Sequence, residues 1–246
     1  MIRKTLLTIC LSLLIQAAFS QVLISLVFGD KLNTGKIEFG LDGGLSLSTL
    51  DGIPGARYRS GLNLGFYFDI KTKNPNWMVS TGVIVKGPMG ARGLAPYPLN
   101  DPGLDSLFAT GSVATQLGYF YVPVTMKYTF KNRIFLRGGI QLGLINGAKD
   151  VFTNDVKDQE DLTFKVNRKG DFAALDAGLV AGIGYRLMKG YGMNVGINYY
   201  YGVIDVEADD NRPNQFNRAV YFNVGIPIGK GKAEKKMQKQ SNNDSN

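Results

Sequence analysis

The side chains in this sequence that could carry chemistry are almost all carboxylates and cations. Histidine is absent, and the one cysteine, Cys10, lies in an apolar stretch near the N-terminus. Histidine is the usual general base near neutral pH, and histidine and thiolate are the usual zinc ligands. We therefore exclude serine–histidine hydrolases, cysteine–histidine enzymes and zinc hydrolases, and we expect no enzyme activity, no metal and no cofactor.

The carboxylates and cations that remain alternate with apolar residues along the chain. A charge in a tight, poorly hydrated interior must be paired, so we favour a salt-bridged plug over a polar path or a small-ligand site, with Asp42, Asp176 and Arg137 as its centre. The predicted lumenal charge cluster comprises Glu38, Asp42, Asp69, Lys86, Lys127, Arg137, Asp176 and Arg186.

This alternation has a period of two residues, which is typical of β-strands with two different faces. It recurs in eight segments, at residues 37–47, 61–70, 77–86, 119–130, 134–144, 175–186, 192–202 and 220–228. Each segment has about ten residues or more, which fits a tilted strand crossing a bilayer and exceeds the usual soluble strand of about five or six.

The connections and the aromatic residues favour a membrane barrel over a soluble sandwich. Short connections (71–76, 131–133, 188–190) alternate with long ones (87–114, 146–170, 204–217), as in outer-membrane barrels. A predicted aromatic girdle at the short-turn ends comprises Phe68, Trp77, Tyr128, Phe130, Tyr185 and Tyr191, and a second belt comprises Phe120, Phe172, Tyr199, Tyr201 and Phe222.

The polar face must point inward, because lysine or arginine at mid-membrane costs about 2–4 kcal/mol. Lipid cannot satisfy the backbone groups of a free sheet edge, so the sheet must close. The predicted fold is therefore all-β, an eight-stranded antiparallel up-and-down transmembrane β-barrel. Eight strands leave an interior that side chains fill, which argues against a small-solute pore.

The chain divides into four predicted parts. Residues 1–20 read as a secretory signal peptide, with a basic start, an apolar run and small residues before Gln21. Residues 21–35 form a periplasmic N-terminal segment, residues 36–229 the barrel, and residues 230–246 a basic, disordered periplasmic tail. We expect both termini in the periplasm and lipid around the barrel. No stripe of cations interleaved with aromatics indicates nucleic-acid binding.

Two features of the long connections leave alternatives open. Apolar residues in 87–114, including Tyr97, Leu107 and Phe108, either dock a partner or pack over the barrel mouth. Acidic residues in 155–161 and 205–210 supply oxygen ligands that calcium prefers, but their spacing differs from that of an EF-hand. We therefore favour solvated acidic loops.

The stretch VLISLVFGDKLNTGKIEFGLDGG, at residues 22–44, resembles the PorT-like outer-membrane barrel family of Bacteroidetes. The resemblance implies an outer-membrane location. In the founding member of the family it also implies a role in protein export through the type IX secretion system, with other outer-membrane or periplasmic secretion proteins as partners. It brings no catalytic motif. We therefore expect a scaffold or accessory subunit. A small-solute pore is the alternative, and a barrel enzyme using Asp42 or Asp176 is the least favoured.

Overall fold

A computed structural model describes residues 36–154, 162–187 and 192–228. The predicted signal peptide, the N-terminal segment 21–35, the basic tail and Tyr191 lie outside the described residues. No helix within the described ranges has the length and apolar character of a membrane span. The described chain is all-β apart from one short helix and one turn of 3-10 helix.

Nine strands are described. Their bounds are β1 Ile37–Asp51, β2 Arg57–Lys71, β3 Trp77–Leu94, β4 Ser112–Thr129, β5 Ile134–Asn154, β6 Leu162–Asn167, β7 Leu175–Arg186, β8 Asn194–Gly202 and β9 Phe216–Pro227. The helix α1, Pro102–Phe108, follows β3, and the Asp101 side chain caps it by accepting hydrogen bonds from the first backbone amides.

Eight of these strands form a closed antiparallel ring. Neighbours in sequence pair in order from β1 to β5, then β5 pairs with β7, β7 with β8, β8 with β9, and β9 returns to β1. Strand β6 pairs only with the end of β5, so these two form a hairpin that projects from the ring. The predicted eight-stranded up-and-down fold is confirmed.

The two faces of the sheet have the polarity that the alternation predicts. Along β5, Leu136, Ile140 and Leu142 point outward and are about half exposed, whereas Gln141 and Phe135 point inward and are buried. Most strands repeat this arrangement, so the outer wall is apolar and most of the lining is polar. A surface of this kind suits lipid outside and a side-chain-filled interior.

The strands are longer on one side of the ring than we predicted. We call the side with the connections at residues 72–76, 130–133 and 187–193 the short-turn rim, and the opposite side the long-connection rim. The predicted connections 87–114 and 146–170 are partly strand, because β3 continues to Leu94 and β5 to Asn154. About ten residues suffice to cross a bilayer, so these extensions rise above it.

Two β-bulges interrupt the alternation on which the predictions relied. They explain why the ends of β3 and β5 were predicted as connections and why Lys86 was assigned to the lumen. Pairing between β3 and β4 shifts between Ile84 and Gly87, and pairing between β4 and β5 shifts at Gly118. An extra residue reverses which side chains face inward. Lys86 therefore pairs with outward-facing Leu64 and is exposed on the outer wall, so its assignment to the lumenal cluster is wrong.

Candidate functional site

The lumen nearest the short-turn rim holds a buried ion pair between Lys127 on β4 and Asp69 on β2. Lys127 Nζ lies 2.7 Å from Asp69 Oδ2, and both side chains are at most 5% exposed. The same ammonium lies 4.3 Å from the ring centroid of Phe135. A buried charge needs a partner of this kind, because desolvation without one costs several kcal/mol.

A second ion pair lies beside the first. Glu38 is the cross-strand neighbour of Asp69, so two carboxylates stand side by side on β1 and β2. Arg186 Nη2 donates to both Glu38 oxygens, at 2.8 and 3.0 Å, and the Tyr67 hydroxyl donates to Oε1 at 3.0 Å. Each carboxylate thus has its own cation, which limits repulsion between the two.

Asp42 and Arg137 share this layer but use neutral partners. Asn223 Nδ2 donates to Asp42 Oδ2 at 2.8 Å, and Arg137 Nε donates to Asn198 Oδ1. A cavity of about 20 Å³ remains between these groups. That space is enough for about one water molecule, so the layer is nearly filled.

A layer of tyrosines fills the lumen closer to the long-connection rim. Tyr119, Tyr121 and Tyr200 are fully buried, and the rings of Tyr119 and Tyr121 stack at 5.1 Å. The Tyr121 hydroxyl donates to Asp176 Oδ2 at 2.7 Å, and Asn217 Nδ2 donates to the same oxygen at 2.9 Å. Asp176 therefore has neutral donors where we had expected an ion pair.

A cap, which we define as residues 95–111 including α1, covers part of the barrel mouth by packing on β4, β5 and β6. A cavity of about 300 Å³ remains beside it, between Tyr97, Ile53 and Gln215. Phe108 is buried, and its ring centroid lies 5.9 Å from that of Phe152 on β5. Tyr97 stacks on the same phenylalanine at 5.0 Å. We had left open whether the apolar residues of this connection dock a partner or pack over the mouth. Tyr97 and Phe108 pack over the mouth, whereas Leu107 is half exposed.

Charged groups hold the cap in place. Asp150 on β5 accepts hydrogen bonds from Tyr97 Oη at 3.0 Å and Thr115 Oγ1 at 2.6 Å, and Arg168 Nη1 lies 2.7 Å from it. Arg168 also pairs with Asp171. Burial, and then the negative charge of Asp150, raise the pKa of Tyr97, so the neutral phenol is the form that the cap stabilises.

The acidic residues after β8 are engaged within their own loop. Asp205 Oδ1 accepts from the backbone amides of Glu207 and Gln215, at 3.0 and 2.8 Å. Amide donors from Asn211 hold the pKa of Asp209 below its usual range. In the described ranges, no three acidic side chains gather in a way that would hold a metal ion. Residues 155–161 lie outside those ranges.

The structure brings together most of the predicted lumenal cluster. Glu38, Asp69, Lys127 and Arg186 form two ion pairs, and Asp42 and Arg137 lie in the same layer. Asp176 belongs to the tyrosine layer, which we did not predict as a unit. Its sequence signal is the inward parity of Tyr119, Tyr121 and Tyr221, with Tyr200 between two outward tyrosines.

Several aromatic residues of the predicted girdle contact a neighbouring aromatic ring or cation at the short-turn rim. Trp77 and Tyr128 have centroids 4.9 Å apart, and Tyr128 contacts Phe130 at 4.8 Å. Phe68 packs on Phe39. Tyr185 lies beneath the guanidinium of Arg133. The assignment of Phe172 to the predicted second belt is wrong, because its ring is buried among the core side chains below the cap.

Comparison with known proteins places the chain in a family. The family model for the outer membrane protein beta-barrel domain matches residues 19–207, whereas no curated protein matches the sequence. The fold is similar to Ail of Yersinia pestis in complex with a heparin analogue (10% identity, 78% of this chain and 99% of that one, TM-score 0.42). It is also similar to Neisserial surface protein A (10%, 78% and 96%, 0.39) and to OprG of Pseudomonas aeruginosa (14%, 79% and 95%, 0.32). These values are too low to support a functional inference. Because the family model covers well over half of its length, the chain belongs to the outer membrane protein β-barrel domain family and is an integral protein of the outer membrane.

Proposed function

We propose that the protein is a non-catalytic outer-membrane barrel that acts as a scaffold or accessory subunit, with protein export as the process it serves. The observation that carries this proposal is the filled lumen. An ion-paired layer and a tyrosine layer lie one above the other, and the cap covers part of the mouth. A barrel built in this way offers partners its rims and its wall.

The filled lumen argues against the pore alternative. Tyr119, Tyr121 and Tyr200 are fully buried, and the cavity in the ion-paired layer holds about one water molecule. A hydrated solute would have to displace both layers to pass. Reconstitution in planar bilayers should therefore give no conductance steps, and reproducible steps would support the pore.

The state of the carboxylates argues against the enzyme alternative. Asp42 is hydrogen-bonded to Asn223, and Asp176 to Tyr121 and Asn217. The cavity at Asp42 is only about 20 Å³, and Asp176 is buried. Both groups are better explained as parts of the packing that keeps the lumen closed.

The long-connection rim is the surface we propose for partner binding. Leu107 on α1, together with Val203 and Ile204 after β8, are apolar side chains about half exposed or slightly less. Interactions fix the cap from inside, and backbone hydrogen bonds to the Ala177 carbonyl hold Val203 and Ile204 in place. The export role and the secretion partners rest on the resemblance of residues 22–44 to the PorT-like family.

Site-specific photo-crosslinking in native outer membranes tests the proposal. A photoreactive residue at Leu107 should give a discrete adduct with another envelope protein. The same residue at Lys73, which is exposed on the short-turn rim, is the matched control on the opposite side. Two results together would contradict a scaffold role in export. The barrel would migrate on gels without an adduct from either rim, and secretion would be unchanged after deletion of the protein.

A further inference from the structure

A basic groove lies on the outer wall of the barrel, beside the long-connection rim. Its volume is about 640 Å³, and it crosses β3, β4, β5 and β6. Five cations line it, namely Arg59, Lys86, Lys149, Lys165 and Lys169, while its described lining contains no carboxylate. The lumenal cations Lys127 and Arg186, by contrast, are each paired with a carboxylate.

Backbone irregularities build this groove. The bulge after Ile84 turns Lys86 outward, and pairing between β2 and β3 is interrupted from Tyr58 to Leu64. Arg59 occupies the interruption and donates to the Met89 carbonyl at 3.2 Å. The groove is therefore a feature of the sheet, and four of its five cations are carried on strands.

The hairpin of β5 and β6 supplies the other side of the groove. Lys149 pairs with Asn167, and Lys165 with Val151, so both lysines project from the extended part of the sheet. Lys169 follows in the 3-10 turn. All four lysines are exposed, and none of them forms an ion pair with a carboxylate of the described ranges.

The groove lies at the edge of the apolar wall. Next to its lining residues Lys86, Gly118 and Asn146 come Val85, Phe120 and Leu144, which are 43%, 44% and 52% exposed. The apolar wall faces acyl chains, so its edge lies at the depth of the lipid head groups. Cations at this depth attract the phosphate groups of anionic lipids.

We propose that this groove binds the phosphate groups of a phosphorylated lipid in the leaflet beside the long-connection rim. The acyl chains would lie against Phe120 and Leu144 while the phosphates meet Lys86, Lys149 and Lys165. Continuity with the lipid-facing wall favours a lipid over a soluble polyanion. The inference rests on the membrane placement of the barrel and is independent of the scaffold proposal.

Native mass spectrometry of the full chain in neutral detergent tests this inference, with bisphosphorylated lipid A as the probe. The variant K149Q/K165Q should bind the probe about thirtyfold more weakly, since each of the two cations near an anionic head group contributes about 1 kcal/mol. The variant K73Q/K131Q, which removes two exposed lysines at the short-turn rim, is the matched control and should bind like the parent.

Dephosphorylated lipid A completes the test. Weak binding of this lipid by the parent, together with loss of lipid A binding only in the groove variant, would support the inference. Equal binding by both variants, or equal losses in both, would overturn it. A sulfated polysaccharide that occupies the groove while lipid A does not would also overturn it, in favour of a soluble polyanion.

Discussion

The ammonium of Lys127 lies 2.7 Å from the carboxylate of Asp69 on the lumenal face of the barrel wall. The two residues stand on β4 and β2, which are separated in the sheet by β3. Hydrogen bonds between neighbouring strands do not join β2 and β4 directly. The ion pair therefore bridges over β3 and joins two strands that share no backbone hydrogen bonds.

Replacing Asp69 with Asn should destabilise the barrel by about 3–5 kcal/mol, because the buried Lys127 loses the carboxylate with which it forms its ion pair. Urea unfolding in lipid vesicles, followed by tryptophan fluorescence of Trp77, measures this change. The double variant D69L/K127M removes both charges and should recover most of the loss. A full-sized loss in the double variant would mean that packing, and not the unpaired charge, causes the effect.

Replacing Tyr121 with Phe should cost about 1–3 kcal/mol, because it removes a hydroxyl that donates to the buried Asp176. Tyr199→Phe is the matched control, since Tyr199 lies on the outer wall and is 43% exposed. Thermal unfolding of both variants in the same detergent compares them. Equal midpoints for the two variants would contradict the proposed importance of the tyrosine layer.

Replacing Gly44 with Ala should destabilise the seam between β1 and β9 by about 1–3 kcal/mol, as overpacking does. A Cβ atom at Gly44 would overlap the backbone carbonyl oxygen of Phe222, which the sheet cannot move easily. Gly147→Ala is the control, because a Cβ atom there would meet nothing within 4 Å. The folded fraction on semi-native gels at increasing temperature reports the difference.

Opening of the cap should depend on Tyr97 and on pH. Because the pKa of Tyr97 is raised in the folded protein, its contribution is present below about pH 10 and is lost as pH rises through the higher folded value. Deprotonation would place a second negative charge beside Asp150. Protease cleavage within residues 95–111 should therefore rise at high pH, and Tyr97→Phe should remove the part of this rise that the phenol causes.

Cysteine labelling on whole cells should show which rim faces the exterior. With both termini in the periplasm, Leu107→Cys should react with a membrane-impermeant maleimide, and Lys73→Cys should react only after the outer membrane is opened. The single native cysteine, Cys10, lies in the predicted signal peptide, so background labelling should be low. The reverse pattern would show that the orientation is wrong.

The sequence by itself determined the class of fold and the polarity of its two faces. Leu136, Ile140 and Leu142 alternate with Arg137, Gly139 and Gln141. Successive side chains of a strand point to opposite faces, so the two sets must lie on opposite faces wherever no bulge interrupts the strand. These conclusions depend only on neighbours along the chain.

The tertiary structure alone decided which groups pair and where the alternation reverses. Arg186 meets Glu38 although 148 positions separate them, and Asp176 takes neutral donors from β4 and β9. The bulge at residues 84–87 places Lys86 on the outer wall. Partners across a lumen are chosen by closure of the ring, and a bulge shifts every later side chain by one face, so neither can be read from a local pattern.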